Sequence, residues 1–155
     1  MLASPAAPAL IKSYGGGKWC SDALSRISGT ESSSRSQAAF RSDSAWDVYS
    51  SLFEKHETIE GSCADYAAAA DPEPQKQSDD QDNGRKMETP VLVMWSLAKL
   101  GRMHGDVGEI WKGWVGEGVE VVASGIGGGV GHYLPEEAAD EVVEAVVSFI
   151  EKTAK

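Results

Sequence analysis

The residue with the clearest chemical promise is His132, in the run Gly131-His132-Tyr133-Leu134-Pro135-Glu136-Glu137. It follows a short β-branched segment and a glycine-rich loop, and it precedes a helix opened by Pro135 and two acids. A histidine so placed stands at the carboxyl end of a parallel strand, the edge where α/β proteins assemble their chemistry. An imidazole takes a proton near neutral pH, so it can serve as a general base, and the neighbouring glycine lets the backbone present the ring. A loop histidine without a role fits the position about as well. The other motifs fail on spacing. The glycines from Gly125 to Gly131 follow a strand as a dinucleotide fingerprint would, but Val130 stands where G-x-G-x-x-G needs Gly or Ala. Gly15-Gly16-Gly17-Lys18 is not a phosphate loop, since Lys12 occupies the first glycine position and Trp19 the magnesium-binding hydroxyl position. His56, His104 and His132 are isolated, with no His-x-x-x-His or Cys-x-x-Cys spacing, so neither a metal site nor a cofactor is expected.

The elements that must hold His132 are written in the second half of the chain. Pro90 opens Val91-Leu92-Val93-Met94-Trp95, a continuous apolar run that fits a strand buried on both faces of a parallel sheet. A helix starting near Asp106 carries Ile110, Trp111, Trp114 and Val115 on one side, and Val119 to Ala123 predicts a second strand. From Pro135 to about Lys152 the pattern predicts one long amphipathic helix with Val142, Val143, Val146, Phe149 and Ile150 as its buried stripe. Strand, helix, strand, helix with parallel-type strands is α/β architecture. Two such strands are too few for a sheet that needs cover and neighbours on both sides, so this half reads as one end of a larger domain.

The first half is helical where it is ordered. Trp46, Tyr49, Leu52 and Phe53 recur at helical spacing after Asp43 or Ser44, either of which can cap the first turn. Ile59, Cys63, Tyr66, Ala67 and Ala70 form a second helical stripe, which Pro72 ends. Residues 13–44 are rich in Ser and Gly and are expected to be mostly loop, and 71–87 reads as an acidic linker. The organisation is therefore a helical region over 1–88 with flexible segments and a strand-helix-strand-helix part over 89–155.

Composition removes whole classes. With 24 Asp+Glu against 14 Lys+Arg the net charge is −10, and the basic residues are scattered, so no nucleic-acid surface is expected. No window approaches the ~18 consecutive apolar residues of a membrane span. Pro5 and Pro8 interrupt any signal-peptide core, and two cysteines build no disulfide framework, so a reducing, cytoplasmic setting is expected.

Several of these motifs together carry a family resemblance. The histidine run, Pro90-Val91-Leu92-Val93-Met94-Trp95 and Ile110-Trp111-Lys112-Gly113-Trp114 resemble the end of an α/β-hydrolase, most closely the haloacetate (fluoroacetate) dehalogenases and the related epoxide hydrolases. In that branch the seventh strand reads like P-V-L-V-L-W-G, a helix carries W-x-x-W, and the histidine loop reads G-H-F-L-P-E-E. Cys63-Ala64-Asp65-Tyr66-Ala67-Ala68 resembles the C-E-D-Y-R-A of the family's helical cap, and Leu2 to Ile11 resembles the start of that cap.

The resemblance implies a partial α/β-hydrolase fold, a cap segment followed by the last two parallel strands and their helices. It implies that His132 activates water against an aspartyl ester, and that Tyr66 holds the leaving halide. The helical stripe gives Tyr66 a plain core role with equal weight. Asp106 sits where other α/β-hydrolases place the triad acid, although an Asp directly before a helix is more commonly a cap, the reading preferred here.

Departures from the pattern matter as much. No G-x-D-x-G or G-x-S-x-G nucleophile elbow occurs in the 155 residues. Ser96 stands where the family has Gly, Ala67 replaces the cap arginine, and the glycines at 125–129 lengthen the loop that positions His132. The chain alone is therefore expected to be inactive. A small-molecule substrate is expected only if an N-terminal half completes it, and the alternatives are an epoxide-hydrolase-like fragment or a non-catalytic module. Pairing or dimerisation through the exposed sheet edge is a further expectation.

Overall fold

The computed structural model describes residues 2–29, 34–42 and 44–154. They divide into two compact units, one gathering Met1–Arg26 with Ser44–Arg85, the other Ile27–Asp43 with Lys86–Lys155.

The first unit is helical. Helices α1 (Ala7–Tyr14) and α5 (His56–Ala70) share an apolar cluster of Ala7, Ile11, Ile59 and Cys63, with Leu2, Trp19 and Phe53 packed around it. The stretch 13–44, expected to be mostly loop, instead carries α2 (Gly16–Ile27) and, in the second unit, α3 (Ser34–Ser42). For α2 the reason is packing rather than propensity. A Cβ on Gly16 would lie 1.8 Å from the Phe53 carbonyl oxygen, so only glycine lets α2 start against the turn that follows α4 (Ala45–Leu52). There the Glu54 carboxylate accepts the Gly17 N–H at 2.9 Å, a negative charge at a helix N-terminus. Buried Cys20 and Leu24 then anchor α2 by one face, and the Trp46 indole donates to Ser21 Oγ at 3.0 Å.

The acidic stretch expected as a linker also contains a helix, α6 (Glu73–Asp82), which buries no residue and opens on a proline. Of the two candidate caps before α4, Ser44 occupies the N-cap position at φ 66° without a side-chain cap bond. Asp43 lies outside the described residues, as do residues 30–33 of the Ser/Gly-rich segment. Burial pushes the thiols of Cys20 and Cys63 up from their ordinary value, and both are free.

The second unit holds the sheet. Strands β1 (Val91–Ser96) and β2 (Val121–Ile126) pair in parallel, Val91 opposite Val121 through Ser96 opposite Ile126. β2 lies two residues beyond its expected start at Val119. A turn closed by Val119 N–H on the Gly116 carbonyl, with Gly118 at φ 79°, takes up the earlier residues. The partner strand then carries the ladder on through Ser124 and Gly125. Val93, Trp95 and Val107 form an apolar cluster in this unit, where α8 (Val107–Lys112), which follows the short α7 (Arg102–His104), packs against both strands.

The final helix is not one rod. It divides into α9 (Leu134–Glu137) and α10 (Ala139–Thr153), with Ala138 between them at φ −145°, ψ 50°. The stripe expected to be buried on α10 is largely open: Val142 and Phe149 are half-buried, whereas Val143 is 59% and Ile150 54% exposed, and Val146 is also exposed. Val147 adds to this face. The stripe is wider than two strands can cover. Among the described residues no helix is long and apolar enough to cross a membrane.

Candidate active site

His132 follows the carboxyl end of β2, and its surroundings are built by four hydrogen bonds donated by backbone N–H groups. Its own N–H donates to the Ile27 carbonyl at 2.9 Å. On either side of it, Gly131 N–H donates to Glu137 Oε2 at 2.7 Å and Tyr133 N–H to Glu137 Oε1 at 2.9 Å. Glu137 Oε2 also accepts the Gly29 N–H at 2.6 Å. Glu137 itself is 1% exposed. A buried carboxylate is costly unless its oxygens are satisfied, and here three N–H donors from two chain segments meet it. Turning this side chain inward accompanies the break of the helix at Ala138.

The glycine beside His132 is required by contact. A Cβ on Gly131 would come within 2.2 Å of Gly29 N and of Ser28 C, so the loop and residues 27–29 lie closer than any side chain permits. Earlier in the loop Gly128 and Gly129 turn at φ 68° and 78°. Of the glycine-rich 125–129 run, Gly125 and Ile126 end β2 and the remaining glycines form the turn, after which the segment is tied down. Ser96, at the end of β1, adds a further tie: its buried Oγ donates to the Val130 carbonyl at 2.6 Å and accepts Lys99 N–H at 3.2 Å. The π-helical turn Leu97–Gly101 starts from that serine.

The His132 side chain is exposed and stands edge-on to Tyr133, with ring centroids 5.2 Å apart. Tyr133 in turn meets the fully buried Phe40 of α3 edge-on at 5.4 Å. An exposed imidazole on an anchored backbone can exchange a proton with water or a bound reactant.

The other predicted site residues are not brought to it within its unit. Asp106 is the N-cap of α8, its Oδ1 accepting Glu109 N–H at 3.2 Å, and no hydrogen bond joins it to His132 among the described residues. Tyr66 lies on α5 of the helical unit and is 52% exposed, so the core role open from the sequence does not hold. Trp95 is buried as expected, but Trp111 is exposed and Trp114 half-buried. His56 pairs with Glu60 across one turn of α5. Among the described residues no group of three or more His, Cys, Asp or Glu side chains gathers to hold a metal ion.

Sequence reasoning passed over Glu137 and read Ser96 only as a departure. A signal for Glu137 was present: an acid in the first turn after a proline can reach back to the N–H at the helix start, as in a capping box.

No family profile matches the chain. Its backbone, however, superimposes on the structure of a "putative epoxide hydrolase" from Pseudomonas aeruginosa, with a TM-score of 0.79 and 27% identity. That match covers 99% of this chain and 47% of the other. A "putative alpha/beta hydrolase" from Nostoc sp PCC 7120 gives a TM-score of 0.78 at 25% identity, over 96% of this chain and 47% of that one. The chain carries a partial α/β-hydrolase fold. It spans about half the length of the solved hydrolase structures it matches, in keeping with two strands where the sequence calls for a wider sheet.

Proposed function

We propose that the chain supplies the base-bearing half of an α/β-hydrolase site that processes a small carbon electrophile through an aspartyl ester. The aspartate would come from the part of the fold this chain does not carry, since no nucleophile elbow occurs in its sequence. For a haloacetate, a carboxylate oxygen of that aspartate attacks the halogen-bearing carbon, and the C–halogen bonding pair leaves with the halide. Water then adds to the ester carbonyl carbon while His132 takes its proton. Collapse breaks the acyl C–O bond, and the departing alkoxide recovers the proton from the imidazolium. Tyr66, whose side chain is half open, would donate its hydroxyl to the halide. The observation that carries this reading is His132 itself, exposed beyond the carboxyl end of a parallel strand on a backbone held from three sides. Buried, free Cys20 and Cys63 support a reducing, cytoplasmic setting.

The name of the Pseudomonas aeruginosa structure favours a second substrate class, an epoxide, for which the nucleophile opens the ring and the same His132 step yields a vicinal diol. One experiment tests both. The full chain is mixed with the portion of the Pseudomonas aeruginosa protein outside the matched span, and halide release from haloacetate and diol formation from an epoxide are followed. The chain alone is expected to release neither. The mixture is expected to turn over one of them, with a loss of about 10³-fold on His132→Ala. Turnover that survives His132→Ala overturns the reading. The open face of α10 and the two-stranded sheet support pairing with such a strand-bearing half, and sedimentation of the mixture reads it directly.

A further inference from the structure

We propose that Glu137 is a positioning residue that fixes the backbone on both sides of His132 and thereby sets the direction from which the imidazole is presented. The inference deepens the reading of His132 as a base and rests on it for its purpose, though not for its geometry.

Among the described residues the Glu137 carboxylate accepts N–H groups from Gly29, Gly131 and Tyr133, at 2.6, 2.7 and 2.9 Å. Gly131 and Tyr133 are the two neighbours of His132 in the chain, so peptide planes before and after that residue are held by a single side chain. The His132 N–H is held independently by the Ile27 carbonyl at 2.9 Å, and Ile27 lies two residues from Gly29, the third donor. The carboxylate therefore locks the histidine loop to a separate segment of chain. Glu137 is 1% exposed, so neither water nor salt competes effectively for its oxygens. Gly131 closes the arrangement: the 2.2 Å approach that a Cβ would make to Gly29 N and Ser28 C leaves no room for the loop to shift inward. Exposed His132 has few other constraints, its ring contact being with its own neighbour Tyr133. A base displaced by about 1 Å can lose on the order of 10²-fold in rate, which gives the clamp a purpose in the completed site.

The chemistry predicts which substitutions succeed. Gln has the shape of Glu but replaces one oxygen by an NH₂ group, which would point donors at N–H donors. If the residue acted only by filling space, Gln would serve as well as Glu. The test is amide hydrogen exchange and imidazole NMR on the full chain. In the unaltered protein, Gly29, Gly131 and Tyr133 amides are expected to exchange more slowly than that of Gly128 in the exposed turn of the same loop. In Glu137→Gln, the Gly131 and Tyr133 amides are expected to exchange at least about tenfold faster while β1 and β2 amides keep their protection. The His132 ring signals are expected to move toward those of exposed His104.

Wild-type Gly131 and Tyr133 amides exchanging as fast as Gly128 would overturn the proposal without any variant, so it stays testable even if Glu137→Gln fails to fold. A Glu137→Gln protein indistinguishable from wild type in both measurements would overturn it as well. In the mixture described above, Glu137→Gln is expected to lower kcat with KM little changed. Slow Gly131 and Tyr133 exchange that Glu137→Gln speeds up, in a mixture that never turns over, leaves the clamp standing and overturns only the functional reading.

Discussion

The helical unit and the strand-bearing unit both bring chain segments close through a glycine and a glutamate, Gly16 beside Glu54 in one and Gly131 beside Glu137 in the other. They differ in that, among the described residues, Glu54 accepts one backbone N–H whereas Glu137 accepts three. In the first, Ala7, Ile11, Ile59 and Cys63 close an apolar cluster from residues of that unit alone, and glycine at 16 lets two helical segments touch through backbone. In the second, Val93, Trp95 and Val107 form an apolar cluster, and the segments around His132 are joined by polar groups, with Glu137 and Ser96 each satisfying backbone atoms of other segments. It also leaves Val143, Val146, Val147 and Ile150 open along α10. Apolar packing tolerates small adjustments of direction, whereas hydrogen bonds to named atoms do not. The difference places the stiff, directional bonding beside His132, the side chain proposed above as a base.

Three substitutions can break or sharpen this contrast. The largest effect is expected from Gly16→Ala, whose Cβ would collide with the Phe53 carbonyl at 1.8 Å. Overpacking against backbone should cost about 3 kcal/mol or more, read as a fall in the denaturant midpoint of the α1–α5 cluster. Amide protection across β1 and β2 should survive; if both units lose protection together, they do not stand on separate cores. Ser96→Ala is of middle size. It removes the 2.6 Å bond to the buried Val130 carbonyl and should destabilise the strand-bearing unit by about 1–2 kcal/mol, seen in urea unfolding. An unchanged midpoint would mean that the serine merely replaces a glycine. Smallest is Val147→Lys on the open face of α10, expected to alter the stability of the chain by no more than about 0.5 kcal/mol. The same change should prevent pairing with the complementary half in sedimentation. A large stability loss would show that this face is covered after all.

Much of the fold was legible from residue pattern. The unbroken apolar run at Val91–Trp95 marked a parallel strand because a strand covered on both faces has no polar side to alternate with. The helical periods at Trp46–Phe53 and Ile59–Ala70 held for the same reason of facing, although only Ile59 and Cys63 of the second stripe are fully buried. The Ser/Gly-rich segment misled because its helix-breaking composition was weighed without the glycine contact at Phe53 that gives α2 a place to begin. The acidic α6 misled for a related reason: with no apolar stripe there is no period to read.

His132 could be singled out from sequence because glycine, proline and acids around one histidine after a strand are local features, and local features survive in one dimension. The sequence by itself also determined that the α/β part is written for a wider sheet, since side-chain type alone decides which faces need cover. Only the tertiary structure decided that Glu137 holds Gly131 and Tyr133 to a segment more than a hundred residues earlier, at Gly29. A hydrogen bond depends on the distance between two atoms, and no spacing along the chain encodes that distance when the partners lie on different segments.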